Sequence, residues 1–243
     1  MQQSSPEHEA ASDRNKPTRR IRFFKRREMW VPTIPLVAMV AIILVGIAVL
    51  ALRTIHPFLA PTRPVDEPDL LVVEGWMPDY NLPRVIEEFR KGPYLRVAAT
   101  GIALDQGHYL QEYQSYGEVV AATLREMGLE EKNLMVGAAT DTRRHRTYNA
   151  AKALKRKVDE SGLTVDALTV FSQATHSRRT WMIFQKVFGE EVEVGIVALP
   201  NESYDNNRWW GSSAGIKVVG MELIAFVFEW LLDSGRDEEA VKS

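Results

Sequence analysis

Residues Ala167 to Phe188 read ALTVFSQATHSRRTWMIFQKVF, and this stretch contains a strand, a polar loop and a helix in succession. Ala167 to Phe171 is a short run without charge, as expected of a strand covered on both faces. Ser172 to Arg179 is polar, and Ser177 to Phe188 returns apolar residues at helical spacing. A strand that feeds straight into a helix reaches its next strand by a crossover. Crossovers of this kind are right-handed and build parallel sheets.

The same pattern extends in both directions. Leu70 to Val73, Leu95 to Ala99, Asn133 to Val136 and Val192 to Val197 are further strand candidates. Between them Leu82, Val85, Ile86 and Phe89 repeat at helical spacing, as do residues of the segment from Val119 to Met127, and Arg143 to Lys157 fits a helix as well. The expectation is an α/β fold of three layers, with a mostly parallel sheet of about five strands over residues 69–235. Ile216 to Leu232 is apolar but contains Lys217, Glu222 and Glu229. Three ionisable groups without an evident partner argue against a membrane span, so an amphipathic helix packed on the sheet is expected there. Residues 236–243 form a short acidic tail.

The chain has 243 residues, no cysteine and a formal net charge of −2. Disulfide scaffolds, thiolate metal sites and cysteine nucleophiles are thereby excluded. The small net charge conceals a division, because residues 14–27 hold eight basic side chains and no acidic one. Val31 to Leu52 then contains no charged residue. As a helix this stretch reaches roughly 33 Å, against about 30 Å of bilayer hydrocarbon. A transmembrane helix over residues 30–53 follows, with Trp30 suited to the headgroup boundary and Pro32 and Pro35 tolerated near its start. The alternatives are a buried core helix and a cleaved secretory signal. The length of the segment and the lack of a small-x-small site after Leu52 count against both.

Eight basic residues before the span, against Arg53 and Arg63 after it, place residues 1–29 in the cytoplasm as a basic, disordered arm. The bilayer itself is then a partner, and nucleic acid is not needed to explain the basic run. Residues 54–68 carry four prolines between His56 and Pro68 and read as a stiff linker that lifts the outer domain off the membrane.

Ligands of open parallel sheets bind beyond the carboxyl ends of the strands. There the chain places Glu74, then Thr100 and Gly101 with Asp105, then Arg146, Thr147 and Asn149, then Ser172, His176, Arg178 and Arg179. Two helix starts rich in arginine point to a phosphate or carboxylate ligand, since free amide hydrogens and the helix dipole already favour an anion. Surface ion pairing of those arginines is the alternative. His176 is the candidate proton donor or acceptor, with Glu74 or Asp105 as orienting carboxylates, although a loop histidine also serves as a structural hydrogen-bonding group. A metal held by Glu74, Asp105 and His108 lacks a diagnostic ligand spacing, and no metal is expected. Gly211 to Gly215 matches G-x-S-x-G but follows no strand and precedes no histidine, which excludes a serine hydrolase. The turn after the first strand lacks G-x-G-x-x-G, so no ordinary dinucleotide site is expected. Trp209 and Trp210 read either as a stacking platform or as packing.

LLVVEGW, ATGIALDQGHYL, RTYNAA, FSQATHSRR and the closing WWGSS before a Glu-bearing helix together resemble the SanA/ElyC/YdcF family of bacterial envelope-associated proteins. The resemblance covers most of residues 69–232. It implies a Rossmann-like domain on the outer side of the bacterial inner membrane, acting in cell-wall or surface-polymer biogenesis. It assigns His176, Arg178 and Arg179 to the loop after the fourth strand, and Arg146, Thr147 and Asn149 to a polar helix start. Glu74-Gly75-Trp76 stands where many relatives have a glycine-rich turn, and Tyr148 where they often have glutamate. The function expected is binding, and processing, of a phosphorylated or lipid-linked precursor. A non-catalytic module recruiting envelope-synthesis proteins and a domain for a nucleotide-like cofactor such as S-adenosylmethionine are the alternatives; the fold alone names no cofactor.

Overall fold

A computed structural model describes residues 30–106, 112–139 and 144–232. The basic arm, His108 and the acidic tail lie outside the described residues. Helix α1 spans Ile34–Leu59, and it is long and apolar enough to cross a membrane. The protein is thus a membrane-anchored α/β domain. α1 does not stop at Arg53, and its second half, from Val45, belongs to the same compact unit as the domain that follows. Leu59 is fully buried, and the backbone of Arg63 bridges that of Ile196 in both directions. The proline-rich segment is therefore bound to the domain, because its backbone finds a strand edge to pair with.

Five strands alternate with helices: β1 (Leu70–Glu74), α2 (Leu82–Lys91), β2 (Arg96–Ile102), α3 (Tyr116–Glu126), β3 (Leu134–Ala139), α4 (Arg146–Ser161), β4 (Ala167–Gln173), α5 (Ser177–Phe188) and β5 (Glu193–Leu199). The sheet order is β3-β2-β1-β4-β5 and every pairing is parallel. Strand alternation divides the core in two. Leu70 and Val72 join α4 and α5 through Leu154, Ile183 and Phe184, whereas Leu71 and Val73 join α2 and α3 through Leu82, Val85 and Leu124. Three layers follow directly from continuous apolar strands that have no polar face.

The strands extend beyond their apolar runs. Glu74, Thr100, Gly101, Ser172 and Gln173 are strand residues, since backbone pairing continues where the side chains turn polar. At the close of β2 the three backbones of Gly75, Gly101 and Gly117 are nearly in contact. A Cβ on Gly101 would lie 2.5 Å from the Gly117 nitrogen, so glycine here is what lets the start of α3 reach the sheet.

The last helix, α6 (Ser213–Leu232), departs from expectation. It packs on the turn before it, on α5, and on the end of α1 through Leu52, Ile55 and Leu59, and not on the sheet. Only Gly215 and Val219 of α6 are buried. Both sheet faces are already covered by α2 to α5, which leaves α6 no sheet surface to occupy.

Candidate functional site

The strand order reverses at β1, whose neighbours are β2 and β4. Loops after such a central pair splay to opposite faces and open a crevice at the carboxyl end. Glu74 closes β1 and His176 follows β4, so both stand at this point. Between them the chain turns sharply at Ala174, which is buried and has φ of 42°. A residue with a side chain in this left-handed region is strained, and the strain here is held in the turn that brings His176 to the crevice.

Four ionisable side chains meet there. His176 Nδ1 lies 3.0 Å from Glu222 Oε1, and His176 Nε2 lies 3.4 Å from Glu74 Oε1. Arg179 donates through Nε to Glu222 Oε2 at 3.2 Å, and its Nη2 sits 2.9 Å from His176 Nδ1. Thr180 donates its hydroxyl to Glu74 Oε1 at 3.1 Å. Trp76 covers the imidazole edge-on, with ring centroids 4.7 Å apart. Glu74 is only 3% exposed. With His176 protonated the cluster carries two negative and two positive charges, which is how buried ions are tolerated.

The protonation states follow from these contacts. Burial works against the imidazolium of His176, but the nearby Glu74 carboxylate and the hydrogen bond to Glu222 outweigh it and push the pKa up to about 9. Burial would raise Glu222, yet the hydrogen bond and charge of His176, helped by Arg179, bring it down to about 2. At neutral pH His176 is therefore an acid and a cation. His176 Nε2 has only the long 3.4 Å ion-pair contact to Glu74 Oε1, and neither it nor Glu74 Oε2, both buried, makes a hydrogen bond among the described residues. Buried polar atoms that lack a hydrogen bond are uncommon, and these two belong to residues that line one cavity.

That cavity holds about 650 Å³, a volume suited to a small-molecule ligand. Glu74, Thr100, Gly101, His176 and Arg179 line it, together with Asp105, Arg146 and Thr147. Arg146 Nη2 donates to Asp105 Oδ2 at 2.8 Å, with both side chains about half exposed. Arg146 opens α4, and the preceding His145 is in the left-handed region with φ of 50° and no side-chain cap. Ala225 and Phe228 of α6 supply an apolar wall.

Three of the expected residues lie elsewhere. Arg178 donates through Nε to the Phe58 carbonyl at 2.7 Å and rests over the Phe58 ring, so it holds the end of α1 instead of facing the cavity. Successive helical residues differ by about 100°, and α5 cannot aim both arginines at one point. Ser172 is fully buried beside Thr180, and Asn149 donates to the Arg144 carbonyl just before α4. Trp209 is buried with its indole nitrogen donating to the Leu52 carbonyl at 3.0 Å, a packing role. Among the described residues no group of three or more histidine, aspartate or glutamate side chains is arranged to hold a metal ion. Glu222 was not foreseen as a member of the site. Its signal is a carboxylate in the middle of an apolar helix, a position that calls for a partner.

The fold and the cavity define a membrane-anchored α/β domain with a crevice at its topological switch point. No protein-family model matches the chain, and no curated protein matches it significantly.

Proposed function

We propose that this domain binds a phosphorylated or lipid-linked precursor of the bacterial cell envelope, on the outer side of the inner membrane, and hydrolyses or transfers it. The observation that carries the reading is the weakly held His176 Nε2, 3.4 Å from Glu74 Oε1, and Glu74 Oε2 without a hydrogen-bond partner, on residues lining a cavity that Arg146 also lines at a helix start. Arg146, the first amides of α4 and the Thr147 hydroxyl receive the phosphate, with Asp105 released to solvent. The acceptor oxygen of water or a hydroxyl attacks phosphorus while the ester oxygen departs. His176 gives its proton to the departing oxygen, and Glu74 takes the proton of the attacking one. The apolar wall of Ala225 and Phe228 suits a ligand that is apolar next to its charged group. The resemblance to the envelope family supports the compartment and the pathway.

The test is binding of polyprenyl phosphate and nucleotide-sugar precursors to the purified full chain in detergent. Saturable binding is expected, weakened about tenfold or more by Arg146→Ala as a charge-assisted contact is lost. His176→Gln is expected to abolish turnover while leaving binding in place. Absence of saturable binding to either class would sink the reading. A periplasmic reporter fused after Ser243 is expected to be active, and an inactive one would overturn the orientation.

A further inference from the structure

α6 shows a face that the domain does not cover. Gly215, Val219, Glu222 and Phe226 turn inward, the last against Phe58 with ring centroids 5.4 Å apart. At complementary helical positions Ile216, Met221, Ile224, Phe228 and Leu231 are all more than half exposed, and Trp230 is 67% exposed. Glu222 bonds His176 and Glu229 lines the cavity, so the outward face has no charge from Val218 to Leu232. Lys217 stands exposed at its start. An isolated exposed leucine needs no explanation, but an unbroken helical face of this kind does.

Its neighbour on the inward side identifies the occupant. α6 packs on Leu52, Ile55 and Leu59 of α1, and Trp209, just before α6, is bonded to the Leu52 carbonyl. About 30 Å of hydrocarbon takes up some 20 helical residues, which brings α1 from Ile34 to the vicinity of Arg53. The part of α1 that α6 grips thus begins where the chain leaves the hydrocarbon. We infer that the outward face of α6 lies in the headgroup region of the same bilayer, as a second membrane contact beside α1. Trp230 is an aromatic residue of the kind that settles at this depth, and Lys217 reaches lipid phosphates from a stem lying on apolar surface. The opposite edge of α6, through Ala225 and Glu229, forms the cavity wall, so the cavity opens beside the lipid surface. This inference does not rest on what the cavity binds.

The chain contains no cysteine, so single cysteines can be introduced and labelled with an environment-sensitive fluorophore in the full-length protein. In nanodiscs of phosphatidylethanolamine and phosphatidylglycerol, labels at Ile224→Cys and Leu231→Cys are expected to emit at shorter wavelength than one at Glu160→Cys on α4. With brominated acyl chains the two α6 labels are expected to lose emission and the α4 label none, since only the former lie at the acyl boundary. Water-like emission from α6 that bromination leaves unchanged would overturn the inference. So would a blue-shifted emission insensitive to bromination and present only in discs holding two copies, which would assign the face to a second chain.

Discussion

The cavity has two charged lips of opposite character. On one side Glu74, His176, Arg179 and Glu222 interlock beneath Trp76, with His176 only 11% and Glu74 only 4% exposed in their side chains. On the other, Arg146 and Asp105 form a single pair with both partners at least half in solvent. A buried charge has no recourse to water, so each member of the first group is fixed by the others. An exposed pair is nearly balanced by hydration and can be exchanged for another anion at little expense. The first lip holds its charges in fixed positions, whereas in the proposed function the second exchanges its carboxylate for the ligand anion.

The largest expected effect is on the buried side. Glu222→Ala leaves His176 and Arg179 facing a single carboxylate, Glu74, in a protected site. Loss of one partner from such a group is expected to cost about 3–5 kcal/mol of stability, read from denaturant unfolding of the detergent-solubilised chain. Glu222→Gln retains a hydrogen-bond acceptor and is expected to cost less. A change below about 1 kcal/mol for Glu222→Ala, the range of exposed pairs, would erase the distinction between the two lips.

The pH dependence has the next largest effect and a defined sign. His176 is raised in the folded chain, so its stabilisation is complete below about 6.5 and is lost as pH rises through about 9. Glu222 is lowered, so its stabilisation is complete above about 4.5 and is lost as pH falls through about 2. Stability is expected to peak between these limits, near pH 4.5–6.5, and to decline by roughly 3 kcal/mol toward pH 9, since each pKa unit is worth about 1.4 kcal/mol. His176→Gln should flatten the alkaline limb. An alkaline limb that persists unchanged in this variant would assign it to another group.

The contrast between the lips was only half visible in the linear chain. β1 and β4 announce themselves by uncharged runs, and whatever follows such strands in a parallel sheet is brought to one edge, which is how Glu74 and His176 came together from positions about a hundred residues apart. Arg179 and Thr180 stand three and four residues after His176, on the same helical face, whereas Arg178 is turned away. Adjacent arginines share a loop position but differ in helical phase, and only the phase decides which of them faces the cavity. Glu222 was hidden for a different reason. Its helix is apolar on the side facing lipid as well as on the side facing protein, so periodicity does not distinguish the inward carboxylate from a solvent-facing one. The ends of β2 and β4 were obscured because parallel pairing is a backbone property and continues through Thr100 and Ser172 irrespective of side-chain polarity.

The smallest effect on stability, and the sharpest probe of the exposed lip, comes from Asp105. Asp105→Asn removes one charge from a half-exposed pair, and its effect on unfolding is expected to stay within about 0.5 kcal/mol. It leaves Arg146 at the start of α4 without its resident carboxylate, so an arriving anion no longer has to displace one. Inorganic phosphate should then bind several-fold more tightly, and the gain should vanish in the double variant with Arg146→Ala, because it acts only through that guanidinium. Raising the salt concentration should shrink the gain further, since an exposed site is screened. The buried lip predicts none of this. If Asp105→Asn instead destabilises the fold as Glu222→Ala does, then Arg146 and Asp105 are a structural clasp between α4 and the end of β2, and the anion must be held from the His176 side alone.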